Sequence, residues 1–183
     1  MTIPAYKLPL AVNAGLRGEG IVVKKAAYAD ADFHARYSCT AKEYVYRIWN
    51  APYDSPFLRG KCFHYPLKID ESTLGFFGEE LVGTHDFRSF MAKGSKIVDD
   101  TVRTVYDFSV TRENELLTLR VCADGFLYNM VRIITGTYLA ASHGRFGKGD
   151  IARIISACDR HAAGDTAPAC GLYLNRVFYP TEV

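Results

Sequence analysis

Two alternating segments separated by a short polar stretch constrain the fold more than any other feature of the sequence. Residues 104–111 and 116–123 place apolar or aromatic side chains at every second position, which is the period of a β-strand with one buried face. Arg112, Glu113 and Asn114 fall between them, and so short a connection favours a tight hairpin. The two segments therefore predict adjacent antiparallel strands in one sheet.

Three further segments favour strands. Residues 37–49 alternate and place Tyr44 on the same face as every second residue after it, residues 21–28 begin with β-branched side chains, and residues 172–179 are typical of a final strand. Residues 50–56 contain two prolines together with Asn, Asp and Ser, which remove ladder donors and favour turns. We therefore expect the strand before them to end there.

Helical spacing occurs in three segments, residues 70–81, 127–143 and 150–158, each with apolar side chains on one face. Asp70 and Asp150 are the N-cap candidates of the first and third helices. Because strands flank these helical stretches, the order predicts an α+β fold, an antiparallel sheet with helices on one face.

The composition is ordinary for a folded chain, and the net charge does not indicate a particular function. Of the 183 residues, 49% are hydrophobic and 23% charged, and the net charge of +2 permits nucleic-acid binding without requiring it. The five cysteines are odd in number and contain no CxxC pair, so neither a disulfide framework nor a zinc site is indicated. We expect buried free thiols and no metal.

Targeting signals are not evident in the sequence. No apolar run approaches the roughly 20 residues that a membrane span needs, and the opening residues lack the basic-then-apolar order of a secretory signal. We therefore expect a cytoplasmic protein without membrane association. Residues 1–19 carry prolines and glycines that indicate a short broken helix and a turn.

Five short motifs follow one another along the chain. They are FHAR at 33–36, YVY at 44–46, THDFRSF at 84–90, GFLYNMVR at 125–132 and APACGLYL at 167–174. One such motif would be weak, since short patterns recur by chance. In this order and spacing the five resemble the A family of tRNA pseudouridine synthases, which have a catalytic domain with a ferredoxin-like or RRM-like sheet.

The resemblance also indicates a missing segment. The family carries its catalytic aspartate in a Gly-Arg-Thr-Asp-x-Gly-Val-His stretch, and no such stretch occurs in this sequence. We expect residues 1–20 to be the remnant of an N-terminal domain and residues 21–183 to be the C-terminal domain. The resemblance implies an isomerase that needs no cofactor, and a chain that by itself holds no nucleophilic aspartate.

Several residues inherit candidate roles from the resemblance. Tyr44 matches the tyrosine that stacks on the target uracil, and Arg132 matches the arginine that pairs with the catalytic aspartate. Leu172 and Tyr173 match residues near the uracil pocket, and Phe126 is expected to pack below it. Each also has a structural alternative, because strand aromatics commonly pack in sheets and most arginines are solvated.

Basic side chains near the motifs are candidates for phosphate contacts, since charge neutralisation supplies much of the affinity for RNA. They are His34, Arg36, Arg88, Lys93, Lys96 and Arg103. Asp86 and Asp124 are the carboxylates nearest to the motifs, and we expect them to have capping or other structural roles.

The function implied by the resemblance is isomerisation of uridine to pseudouridine in the anticodon arm of tRNA, by a homodimer. Two alternatives remain open at this point. The chain could be a catalytically silent module that binds RNA, or a dimerisation domain without RNA affinity. Turnover of a tRNA substrate separates the first reading from both alternatives.

Overall fold

The hairpin predicted from the alternating segments lies at the centre of a mixed sheet. The structure is a computed structural model that describes residues 3–94 and 100–180. In chain order its α-helices and strands are α1 (Leu8–Gly15), β1 (Ala41–Trp49), β2 (Phe63–His64), α2 (Gly75–Leu81), β3 (Gly83–Asp86), β4 (Val102–Glu113), β5 (Leu116–Ala123), α3 (Met130–Ser142), α4 (Asp150–Ala157) and β6 (Leu172–Phe178). The described residues thus form an α+β fold, as predicted.

The sheet is antiparallel except at one short edge. Its order is β2-β1-β5-β4-β3, and β6 also pairs with β1. β6 runs antiparallel to the first half of β1, whereas β2 pairs in parallel with Ile48 and Trp49 at its end. The predicted all-antiparallel sheet is therefore corrected at β2, where the chain returns after the proline-containing loop beside β1.

The chain divides into two compact units, one reaching Cys39 and including Tyr179, the other running from Thr40 to Phe178. In the first unit, the predicted strand at residues 21–28 is wrong, because these residues form no ladder and Ile21 and Val22 are exposed. β-branched side chains favour a strand only when a partner strand and a buried face are present. The division of a longer protein at residue 20 stays a prediction.

Strand and turn boundaries differ from the sequence expectation in two places. β1 begins at Ala41 and not at residue 37, since the backbone N–H groups of Tyr37 and Ser38 donate to the His34 carbonyl in a local turn. The hairpin turn consists of Asn114 and Glu115, with Asn114 at φ 53°. Asn tolerates this left-handed conformation better than most residues, so Arg112 and Glu113 remain in β4.

The core lies between one face of the sheet and the helices of the second unit. Alternate residues of β1 and β5 on this face are fully buried, and α2 and α3 pack on them; the buried set includes Tyr46, Ile48, Phe77, Leu81, Leu117, Leu119, Val121, Ile133, Ile134 and Tyr138. The opposite face carries Arg120, which is paired with Glu43 at 3.5 Å and Asp107 at 3.0 Å. This distribution confirms the predicted period of two and the helices on one face.

Helix boundaries show how local chemistry shortens a periodic pattern. Asp70 caps a single turn of 3-10 helix, after which α2 begins at Gly75. α3 begins at Met130 because Asn129 lies in the left-handed region, and Asp150 is the first helical residue of α4, preceded by Gly149 in a left-handed conformation. The three predicted helices are confirmed, with shorter bounds.

The cysteines are all free, as expected, but only Cys62 is buried. The expectation of buried thiols is thus wrong for the other four, of which Cys170 is exposed in the loop before β6. Within residues 3–94 and 100–180, no helix has the length and apolar content to cross a membrane.

Candidate active site

A small pocket opens where β1, the loop after β5, the start of α3 and the start of β6 meet. Its volume is about 210 Å³, and its walls are Tyr44, Phe126, Leu127, Tyr128, Asn129, Met130, Val131 and Leu172. Three predicted site residues, Tyr44, Phe126 and Leu172, are therefore brought together by segments that are distant in sequence. Most of the wall is apolar or aromatic, which suits the face of a planar ring.

Tyr44 owes its position to the alternation of β1. It shares a face with the fully buried Tyr46 but lies nearer the start of the strand, where it is only half-buried. Its ring meets the ring of Phe126 edge-on, with centroids 4.8 Å apart and planes at 76°. This contact holds Phe126 against the core and leaves part of the tyrosine ring facing the pocket.

Arg132 lies one residue beyond the pocket wall, in the first turn of α3. Its Nε donates to the Ala167 carbonyl at 2.6 Å, and Nη1 donates to Oδ1 of Asn129 at 3.1 Å. A guanidinium has five N–H donors, so among the residues that the structure describes three remain without an acceptor. In the same described ranges no carboxylate forms an ion pair with Arg132.

The segment before β6 supplies the acceptors that hold this region. The Pro168 carbonyl accepts the Tyr46 hydroxyl at 2.5 Å, next to the Ala167 carbonyl that binds Arg132. Burial raises the pKa of the Tyr46 hydroxyl, with a smaller contribution from Cys170 in the same direction, and the charge of Arg132 opposes it. Tyr46 therefore stays a neutral hydrogen-bond donor.

Tyr173 lies apart from the pocket, although Leu172 contributes to its wall. Successive residues of β6 point to opposite faces, and Tyr173 is paired with Val45, not with Tyr44. Its hydroxyl donates to the Lys61 carbonyl at 2.6 Å, and the Arg47 guanidinium lies 5.1 Å from its ring centroid. The structure thus gives Tyr173 a packing environment on the far face of the sheet.

Two basic candidates lie in the first compact unit and are exposed there. Nδ1 of His34 accepts the backbone N–H of Arg36 at 3.1 Å, and the His34 ring lies 4.4 Å from the ring of Tyr37. The Arg36 guanidinium lies 5.7 Å from the same tyrosine ring. His34 and Arg36 therefore share one local turn.

The remaining basic candidates lie in the second unit. Arg88 is exposed and forms a 3.7 Å ion pair with Asp86, while Lys93 Nζ lies 2.9 Å from Nε2 of His161. The Arg103 side chain is mostly buried, and its Nη1 lies 3.9 Å from the Asp100 carboxylate. Lys96 falls outside the described residues.

The two carboxylates nearest to the motifs have structural partners. Asp86 accepts from the Thr101 hydroxyl at 2.6 Å and from the Arg88 backbone at 2.9 Å. Burial alone would raise the pKa of Asp86, but these bonds and the Arg88 charge outweigh it, and the pKa is lowered. Asp124 accepts the Thr104 backbone N–H at 3.0 Å. Both arrangements agree with the structural roles expected from sequence.

A larger cavity of about 640 Å³ lies beyond the other end of β1, around Asn50 and Arg112. Two of its charged groups already satisfy each other, because the Arg112 guanidinium binds both carboxylate oxygens of Glu71 at 2.6 and 2.9 Å. We therefore place the candidate site at the smaller pocket, where Arg132 keeps unused donors. No three His, Cys, Asp or Glu side chains in the described part of the chain are grouped to hold a metal.

Sequence reasoning missed the residues that orient Arg132. Asn129 stands within the GFLYNMVR motif, yet neither its left-handed conformation nor its bond to Arg132 follows from helical periodicity. The Ala167 carbonyl is a backbone group and leaves no side-chain signal. Only the spacing of Asn129 and Arg132, three residues apart at a helix start, could have suggested a contact.

Comparison with known proteins adds to this geometry. A profile of the tRNA pseudouridine synthase family matches residues 78–180. The chain is 45% identical to the tRNA pseudouridine synthase A of Bacillus licheniformis over 98% of this chain and 72% of that protein. Identities are 41% to the Bacillus subtilis protein and 44% to that of Lacticaseibacillus casei, over 98% and 97% of this chain and 72% of each relative. A match of this extent, with residues of three of the five motifs lining one pocket, means that the chain belongs to the tRNA pseudouridine synthase family.

Proposed function

We propose that this chain holds the target uridine in a tRNA pseudouridine synthase that acts on the anticodon arm, and that by itself it binds RNA without catalysis. The observation that carries the proposal is the partly bonded guanidinium of Arg132 beside the Tyr44 pocket. Its unused N–H donors suit a carboxylate, which a planar guanidinium binds with two parallel hydrogen bonds.

The reaction explains why such a pair of features is useful. Isomerisation breaks the bond between N1 of uracil and C1′ of ribose, rotates the base, and joins C5 to C1′ while the proton of C5 is lost and N1 gains one. The base must leave its stack to be reached, and an aromatic side chain can replace the lost stacking. Tyr44 would stack on the uracil, and Arg132 would keep a catalytic carboxylate ionised and oriented.

Strand order supports a ferredoxin-like or RRM-like assignment for the second unit. Its four long strands are arranged β6-β1-β5-β4, each antiparallel to its neighbour. α2 connects β1 towards β4, while α3 and α4 connect β5 to β6, so two split β-α-β units interlock. Exposed basic side chains on this unit, Arg88 and Lys93, would contribute phosphate contacts.

Tritium release tests the function directly, because the hydrogen at C5 of uridine leaves during the reaction. With anticodon-arm tRNA tritiated at that position, the 183-residue chain should bind but release no tritium. Adding the Gly-Arg-Thr-Asp segment of a relative should restore release, and Arg132→Ala should not be rescued. Release by the isolated chain would mean that another carboxylate performs the reaction, and absence of tRNA binding would overturn the proposal.

Homodimer formation in the cytoplasm belongs to the same proposal. The family resemblance supports it, together with exposed apolar side chains such as Tyr106 on β4, which is 53% exposed, and Leu174 on β6, which is 52% exposed. Light scattering of the chain, alone and with the added segment, should give the mass of two chains. A single-chain mass in both samples would leave the dimer without support.

A further inference from the structure

The loop from Asp159 to Pro168, which we name the clamp loop, lies unusually close to α3. At Gly136 of α3 a Cβ atom would overlap the Asp165 carbonyl oxygen, and at Gly164 a Cβ atom would lie 2.6 Å from Cα of Thr137. The buried hydroxyl of Thr137 accepts the Gly164 N–H at 2.9 Å. Two glycines and a buried hydrogen bond therefore dock this loop directly on the helix backbone.

Arg160 determines the internal shape of the clamp loop. Its Nη1 donates to the Gly164 carbonyl at 2.8 Å, and its Nη2 donates to the Thr166 hydroxyl at 3.1 Å. The planar guanidinium thus spans the residues on both sides of Asp165. Arg160 is half-buried, and among the described residues it forms no ion pair with a carboxylate, so its bonds serve the loop alone.

The far end of the clamp loop binds Arg132 twice. Nε of Arg132 donates to the Ala167 carbonyl at 2.6 Å, and the Ala167 N–H donates to the Arg132 carbonyl at 3.1 Å. Both the backbone and the side chain of Arg132 are therefore held by hydrogen bonds to one residue of the loop, Ala167. A shift of Ala167 would rotate the guanidinium and redirect its unused N–H donors.

We propose that Arg160 is a positioning residue that acts through the clamp loop to aim Arg132. The claim that the orientation of Arg132 affects catalysis rests on the proposed function. The claim that Arg160 fixes the orientation of Arg132 rests on the hydrogen bonds alone. A planar guanidinium with two fixed acceptors holds a loop more tightly than a flexible lysine ammonium does. Groups that orient a reacting side chain must be held rigidly themselves.

Nitrogen-15 NMR of arginine side chains tests the structural step in the 183-residue chain. The Arg132 Nε–H signal, identified by its loss in Arg132→Lys, should exchange slowly with water because it is bonded. In Arg160→Met, we expect its exchange to become about tenfold faster. Arg153→Met is the matched control, since Arg153 is exposed and paired with Asp150 on α4, and it should leave the signal unchanged.

Thr166→Val keeps the side-chain volume but removes the hydroxyl acceptor, and it serves if Arg160→Met fails to fold. We expect the same change in the Arg132 signal with a smaller size. An unchanged Arg132 exchange rate in a folded Arg160→Met or Thr166→Val variant would overturn the proposal.

The functional step has its own readout. In the sample complemented with the catalytic segment, Arg160→Met should lower kcat about tenfold with little change in KM, as expected when transition-state alignment is lost. A change in KM alone would contradict positioning. If the unsubstituted complemented chain makes no pseudouridine, the proposed function fails, while the NMR result still decides whether Arg160 orients Arg132.

Discussion

At the scale of single residues, Asn129 combines two tasks at one position. Its backbone lies in the left-handed region at φ 61°, which allows the chain to turn from the loop into α3. Its side chain accepts a hydrogen bond from Arg132 at 3.1 Å. Asn is among the few residues that occupy this conformation readily, so both tasks fit one short polar side chain.

Substitutions of Asn129 should separate the two tasks. Asn129→Gly keeps the left-handed backbone and removes the acceptor, whereas Asn129→Ala removes the acceptor and adds strain. We expect Ala to lower the free energy of unfolding by about 1–2 kcal/mol more than Gly, measured by urea unfolding. Equal stabilities of the two variants would show that the backbone conformation carries little strain.

At the scale of secondary-structure elements, an ion pair joins the end of β4 to the approach to α2. The Arg112 guanidinium binds Glu71 through two hydrogen bonds and also donates to the Ile69 carbonyl at 3.2 Å. The hydrogen bond from Arg112 is the largest cause of the lowered pKa of Glu71. The sequence had placed Arg112 in a turn, whereas its position in β4 makes this link possible.

The pH dependence of Glu71→Gln should report this link. Because the pKa of Glu71 is lower in the folded chain, its contribution is complete above the ordinary value of about 4.3 and is lost as the pH falls through the folded value. At pH 7 we expect Glu71→Gln to lower the free energy of unfolding by about 1 kcal/mol. Once the pH falls below the folded pKa of Glu71, the two proteins should converge.

Exposed Glu79 on α2 offers a control for this measurement. Glu79→Gln should change stability little at any pH, because surface charges without a fixed partner contribute little. A constant difference between Glu71→Gln and the unsubstituted chain from pH 7 to pH 3 would contradict the assignment of the effect to the ion pair.

At the scale of the whole molecule, the hydrophobic core belongs to the second compact unit. Among the described residues, the buried members of the main core cluster lie between Tyr46 and Ala167, and the partly buried residues packed on this cluster extend from Tyr44 to Leu172. The unit itself runs from Thr40 to Phe178. Since apolar burial supplies most of the stabilisation of a domain, this unit contains what it needs to fold.

A fragment of residues 40–178 should therefore unfold in one cooperative transition. We expect its urea midpoint to match that of the full chain, followed by circular dichroism and by fluorescence of Trp49, because no buried core residue is removed. A broad transition, or a clearly lower midpoint, would show that residues 1–39 or 179–183 contribute to the stability of the second unit.

The amino-acid sequence alone predicts the elements whose signals are local. Alternation predicted β1, β4 and β5, and helical spacing predicted α2, α3 and α4, because these periods follow from backbone geometry. Residues 172–179 were also expected to form the final strand, which is β6. The order of five motifs indicated the family. The same period of two could also have shown that Leu172 and Tyr173 point to opposite faces, so only one of them could line the pocket.

Which elements find partners depends on long-range packing and is seen only in the folded chain. Residues 21–28 have strand-forming side chains but no neighbouring strand, and β2 pairs with β1 after a loop whose length sets no register. The Ala167 carbonyl reaches Arg132 across 35 residues, and Tyr46 reaches Pro168 across 122. Such contacts depend on packed backbone groups that carry no residue-specific signal, so local patterns cannot predict them.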